Sequence, residues 1–120
     1  MAHWNDRLHE TYGLPILTLP FYDETVEVFP SLEEYVGGGM AILLWTVEEG
    51  EPWSDLTVNL GCGTDRMQTI DTNNNRYCDI CGFLEEIGAA RRTGRSVSSG
   101  FCSYPMMEFD EGFLAAIKRA

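Results

Sequence analysis

Residues 40–60, MAILLWTVEEGEPWSDLTVNL, predict the central hairpin of a β-sheet. The first eight of these residues form a nearly continuous apolar run, which is typical of a strand inside a sheet. The EEGEP that follows is a turn signal, and the last seven residues alternate so that Leu56, Val58 and Leu60 share one face. Two strands joined by a short turn that contains Gly and Pro indicate an antiparallel hairpin.

The sequence before this hairpin extends the sheet. Residues 25–29, TVEVF, alternate and are rich in β-branched and aromatic side chains, so they predict a strand. VGGG at 36–39 predicts a flexible turn. Residues 15–21, PILTLPF, are apolar and contain two prolines, which favours a short edge strand or an extended arm. We therefore predict an antiparallel meander for the first half, preceded by a flexible arm at residues 1–14.

An amphipathic helix is predicted at residues 75–88, where apolar side chains recur at spacings of three and four. These side chains are Tyr77, Ile80, Cys81, Leu84 and Ile87. Gly88 would end the helix, and Asn74 or Asn75 could cap its start.

The remainder of the second half predicts a polar loop, a strand and a helix. Residues 91–100 are polar and indicate a loop, whereas 101–109 can form a strand in which Pro105 requires an edge or a bulge. Residues 111–120 have helical spacing. The whole chain, 1–120, is thus expected to be one α+β domain: an antiparallel β-meander with one packed amphipathic helix and a short C-terminal helix.

Charge is distributed very unevenly along the chain. The 120 residues carry a formal net charge of −11. The first 65 residues contain twelve acids and a single base, Arg7, whereas the remaining residues contain seven of each. Such a chain should be repelled by nucleic acid and by anionic membranes. Its natural complement is a basic surface on another macromolecule.

The acidic half therefore supplies the candidate binding residues. We expect a non-catalytic protein that binds a basic, nucleic-acid-binding partner protein without binding nucleic acid itself and without a cofactor or metal. Because the start of the chain lacks a signal-peptide pattern and no apolar run reaches about 20 residues, we expect a cytoplasmic protein. The predicted partner-binding residues are Glu24, Glu27, Glu33, Glu34, Glu48, Glu49, Glu51 and Asp55.

A zinc- or thiol-dependent protein built on Cys78-x-x-Cys81 is one alternative. Cys62 and Cys102 could supply two more thiolates, but a second C-x-x-C pair is absent from the sequence. Asp79 between the paired cysteines would raise thiol pKa, which disfavours redox catalysis.

Calcium binding fits the same region less well. The run IDTNNNRYCDICG, residues 70–82, begins like an EF-hand loop. However, Arg76 stands where the loop needs Gly, and Gly82 stands where it needs Glu. Turn formation by Asp and Asn explains the run more simply.

A small-molecule enzyme of unknown type is a further alternative. Arg95, Ser98 and Ser99 could bind an anion in the polar loop. His3 and His9 lie in the predicted arm, where a catalytic base would lack rigid support. We expect no catalytic residues.

Four segments together carry a family resemblance: LTVNL (56–60), IDTNN (70–74), TGR (93–95) and SGFCSYP (99–105). The chain resembles an uncharacterised family of small acidic proteins from Gram-positive gut bacteria and their mobile elements, over about residues 25–110. The family has no assigned activity, so the resemblance implies a fold and no catalytic residues. It also implies a role in the setting of phages and mobile elements, where acidic proteins that inhibit bacterial defence, anti-CRISPR proteins among them, present carboxylates in place of phosphates.

Overall fold

The computed structural model of the protein describes residues 3–34, 40–61 and 66–118. These residues form two four-stranded antiparallel sheets and two short helices, which confirms the α+β prediction. Sheet I contains β1 (Leu17–Phe21), β2 (Glu24–Glu34), β3 (Met40–Thr46) and β4 (Pro52–Asp55), in that spatial order. Sheet II contains β5 (Thr57–Val58), β6 (Met67–Ile70), β7 (Ala90–Ser99) and β8 (Cys102–Phe109), in the order β5-β6-β8-β7. The helices are α1 (Ile80–Glu86) and α2 (Glu111–Ile117).

Sheet I is the predicted meander. The apolar run forms the inner strand β3, and β1 lies at an edge. The predicted VGGG turn falls outside the described residues. Strand β2 continues five residues beyond the predicted end, through Pro30. The N–H of Val47 bonds to the carbonyl of Glu27, so Glu27 and every second residue after it face β3. The backbone nitrogen of Pro30, which carries no hydrogen, therefore faces the β1 side, where pairing has already ended at Val28.

The last strand of the predicted hairpin divides between the two sheets at Leu56. The N–H of Leu56 bonds to the carbonyl of Ile42 in sheet I, while its own carbonyl accepts from Asp71 beside sheet II. Leu56 and Thr57 are both buried, so the predicted alternation, in which Leu56 and Val58 share one face and Thr57 lies on the other, is wrong. A chain that crosses between sheets presents neighbouring residues to the core, which period-two reasoning cannot anticipate.

Helix α1 is shorter than predicted because it begins at Ile80, with Asp79 rather than an Asn as its N-cap. The Asp79 carboxylate accepts from the N–H of Gly82 at 3.1 Å. Gly88 ends the helix as predicted, with φ of +74°. Its N–H bonds to Glu85, and that of the next residue bonds to Leu84, the pattern of a Schellman motif.

Of residues 91–100, predicted as a loop, all but Gly100 belong instead to strand β7. The strand is held by pairing with β8, and being outermost in sheet II it needs no apolar face. Its polar sequence therefore gave no strand pattern. For Pro105 the sequence predicted an edge or a bulge; β8 is an inner strand, and a bulge lies opposite it in β7, where the register shifts between Arg92 and Ser96.

One apolar core lies between the sheets and the helices. Sheet I contributes Val28, Ile42 and Leu44, and sheet II contributes Ile70 and Phe109. Helix α2, where predicted, adds two side chains that are fully buried, and α1 adds two more. No helix among the described residues is long and apolar enough to span a membrane.

The N-terminal segment, predicted as a flexible arm, contacts both sides of the molecule. The N–H of Trp4 bonds to the carbonyl of Ile87 at 3.0 Å, and its ring packs edge-on against a core phenylalanine of α2. Farther along, the rings of His9 and Tyr12 pack on Phe29 of β2 with centroids 4.9 and 5.5 Å away. The segment therefore contacts both helices at its start and β2 of sheet I farther along.

Candidate functional site: the acidic end of sheet I

Antiparallel pairing brings two turns to the same end of sheet I. Val28 of β2 lies opposite Thr46 of β3, so the residues before Val28 and those after Thr46 extend in the same direction. The β1–β2 and β3–β4 turns therefore stand side by side. We call the six carboxylates gathered there the acidic end: Asp23, Glu24, Glu27, Glu48, Glu49 and Glu51. All except Glu27 are exposed.

The predicted binding set is thus divided by the fold. Five of its eight residues lie at the acidic end, whereas Glu33 and Glu34 lie at the opposite end of β2, about 20 Å beyond Val28. Asp55 lies opposite Leu43 on β4. Asp23, in the turn between β1 and β2, completes the cluster and was not among the predicted residues.

Very little positive charge reaches the acidic end. Arg7, from the N-terminal segment, pairs with the carboxylate of Glu27. Their hydrogen bond raises the pKa of the Arg7 guanidinium. In the described part of the chain, the other five carboxylates of the acidic end have no ion-pair partner. Six carboxylates and one guanidinium leave a formal balance of −5.

Three arginines of the second half, Arg66, Arg91 and Arg92, form ion pairs within that half. Arg92 contacts the carboxylate of Asp79 at 3.1 Å and also pairs with Glu85 of α1. The carboxylate of Glu108 on β8 pairs with the guanidinium nitrogens of Arg91, at 2.5 Å, and of Arg66, at 3.8 Å. These cations are therefore positioned by local carboxylates and do not neutralise sheet I.

The Asn-rich run serves the fold through a buried hub at Asn75, which is 0% exposed. Its amide nitrogen donates to the carbonyls of Asp55 and Asp71, at 2.9 and 2.7 Å. Its amide oxygen accepts from the hydroxyls of Ser54 and Tyr77, each at 2.8 Å. All four hydrogen-bonding positions of the amide are filled. The run thus joins β4 of sheet I to the loop that leaves sheet II.

The cysteines of the described residues are dispersed and free. Burial and the neighbouring Asp79 raise the pKa of Cys78 to about 11, and burial raises that of Cys81. Raised thiol pKa values oppose nucleophilic or metal-binding thiolates. Cys102 lies on β8 and accepts from the Asn73 amide at 3.4 Å. Within the described ranges no group of three or more His, Cys, Asp or Glu is arranged to hold a metal, and Cys62 lies outside them.

The proposed anion-binding trio is spread along the outer strand. Arg95 lies in the bulge of β7, and Ser98 and Ser99 pair with residues of β8 nearer the hairpin tip. All three side chains are exposed. An open depression of about 580 Å³ lies elsewhere, beside α1, and is lined by Tyr22 and Cys78 among others.

A family model described as Domain of unknown function (DUF4313) matches residues 31–119. The chain therefore belongs to this family, and the prediction of an uncharacterised family is confirmed. The match contains β3 to α2 together with Glu48, Glu49 and Glu51, while Asp23, Glu24 and Glu27 precede it. Comparison with curated proteins and with solved structures gave no match.

Proposed function

We propose that this protein is a non-catalytic cytoplasmic interaction protein whose acidic end covers a basic, nucleic-acid-binding surface of a partner protein. Its most specific form would be an anti-defence inhibitor, such as an anti-CRISPR protein, encoded by a phage or mobile element. The observation that carries the proposal is the formal balance of −5 at one end of a rigid sheet, with five carboxylates that have no ion pair in the described chain.

The geometry supports a phosphate-mimicking role. Adjacent strands lie about 4.8 Å apart, so two neighbouring turns place several carboxylates close enough to meet one cluster of Lys and Arg. Charge-assisted hydrogen bonds to carboxylate resemble those to phosphate, and Arg forms both in a bidentate way. Binding should weaken as salt increases, because the attraction between exposed charges is screened.

The test is affinity capture from a nuclease-treated bacterial lysate with three baits: wild type, E48K/E49K/E51K, and E34K/D55K/E86K. The control triple changes net charge by the same +6 but alters exposed carboxylates outside the acidic end. We expect wild type and control to retain a basic nucleic-acid-binding protein at low salt and to release it at moderate salt. The E48K/E49K/E51K bait should lose it.

A captured protein must then lose nucleic-acid binding when wild-type protein is added. It must keep that binding when the E48K/E49K/E51K variant is added instead. Equal capture by the two triple variants would contradict a localised site. Capture that leaves nucleic-acid binding of the partner intact would contradict the mimic.

A further inference from the structure

Strand β7 presents the open edge of sheet II, and its two halves differ. In the proximal half, the N–H of Arg92 donates to the carboxylate of Glu85 on α1, at 3.0 Å. The bulge follows, where the N–H of Arg95 turns to the hydroxyl of Thr93 at 3.1 Å. A helix and a bulge are both devices that block strand addition. The proximal half is therefore closed to pairing.

The distal half, Ser96–Ser99, is regular and open. Gly100 has φ of +62° and Phe101 does not have positive φ, so the two-residue turn is of type II′. In such a hairpin the pair that flanks the turn, Ser99 and Cys102, is hydrogen-bonded, and bonded pairs then alternate. Consequently the N–H and C=O groups of Ser96 and Ser98 point away from β8.

This open edge is also where like-charged molecules can approach each other. No charged residue occurs from Ser96 to Met107, although the chain as a whole carries −11. The acidic end belongs to the other sheet. At the tip of the same hairpin, the side chain of Phe101 is 111% exposed, and Arg95 beside the bulge is exposed as well.

We propose that the distal edge of β7 pairs with the same edge of a second copy of this chain, in an antiparallel two-fold arrangement. The outward-pointing residues must face each other, so Ser96 of one copy lies opposite Ser98 of the other. Ser98 of the first copy lies opposite Ser96 of the second by the same symmetry, and sheet II continues across the two-fold axis.

Four residues per copy form a small contact. A stable dimer buries about 1,000 Å² or more, so this one should be weak and concentration-dependent. The inference does not depend on the acidic end, and each can fail without the other.

Sedimentation equilibrium under reducing conditions, over about 10 μM to 1 mM protein, tests the pairing. We expect wild type to shift towards a dimer as concentration rises. Ser98→Pro removes an outward N–H and should abolish the shift while leaving the hairpin bonds in place. Ser103→Pro, at the same level of the hairpin on β8, is the matched control and should still dimerise. A wild type that stays monomeric throughout would overturn the proposal.

A charge exchange identifies the second copy as the occupant. S96K/S98K and S96E/S98E should each be monomeric, because positions 96 and 98 of the two copies lie directly opposite each other and would carry like charges. A mixture of the two should dimerise at least as strongly as wild type. If the mixture stays monomeric while wild type dimerises, the contact lies elsewhere on the molecule and the proposal is also overturned.

Discussion

The two sheets have the same number of strands and share one core, yet they treat charge in opposite ways. In sheet II and its helices, Arg66, Arg91 and Arg92 bind local carboxylates. In sheet I, Arg7 is the cation found beside the acidic end among the described residues. The comparison shows that charge is balanced locally around sheet II, whereas −5 of the chain's net −11 gathers at one end of sheet I. Four measurements test how the two sheets differ and how they are joined.

Loss of the Asn75 hub should have the largest effect, because the hub joins the two halves. Asn75→Ala removes the four hydrogen bonds of a fully buried amide and should lower the free energy of unfolding by about 2–4 kcal/mol. Urea unfolding measures this. The control is Asn73→Ala, an exposed neighbour, for which we expect a change within about 0.5 kcal/mol. Similar losses for the two variants would show that the buried amide has no special role.

The same charge reversal should act differently in the two sheets. Glu108→Lys places a cation between Arg66 and Arg91 and should cost about 1–2 kcal/mol. Glu48→Lys relieves repulsion at the acidic end and should stay within about 0.5 kcal/mol of wild type or stabilise slightly. Thermal or urea unfolding of the two variants measures these changes. An equal loss of stability in both would show that the two sheets do not differ in how they tolerate charge reversal.

Salt should stabilise the wild type modestly. Raising NaCl from about 20 mM to about 500 mM screens repulsion at the acidic end and should raise the Tm by about 2–5 °C. The E48K/E49K/E51K variant should gain less, since it has less repulsion to screen. An identical gain in the two proteins would indicate a general salt effect.

The smallest effect concerns Cys78, whose pKa is raised to about 11 from 9.0. Between these values the unfolded chain has lost the proton that the folded chain retains, so stability should fall as pH rises from 9 to 11. Below 9 the thiol is protonated in both states and has no influence. Cys78→Ala should therefore lose less stability than wild type over this window. Parallel curves would indicate that the folded thiol titrates normally.

Strong periodicity explains what could be predicted from the sequence. The apolar run of β3, the stripe of α1 and the spacing of α2 each face one core, so their patterns report their structure. Strand β7 could not be found in this way because an outer polar strand depends on pairing rather than on an apolar face. The crossing at Leu56 depends on partners in both sheets.

The candidate site was predictable only in part for a related reason. Residue types identified the acidic half, but only the strand register shows that Glu27 and Glu48 lie at one end and Glu34 at the other. The Asn75 hub collects partners from separate segments, and nothing within the run itself indicates them.

The hub also gives the molecule an optical signature. The indole N–H of Trp53 donates to the phenol oxygen of Tyr77 at 3.1 Å, and the two rings are 5.8 Å apart at 69°. Phe21 packs against both rings. Aromatic chromophores fixed in such an asymmetric arrangement give near-ultraviolet circular dichroism, which disappears when tertiary packing is lost. The junction between the sheets therefore contributes to the near-ultraviolet circular dichroism of the protein, which is measured without any added label.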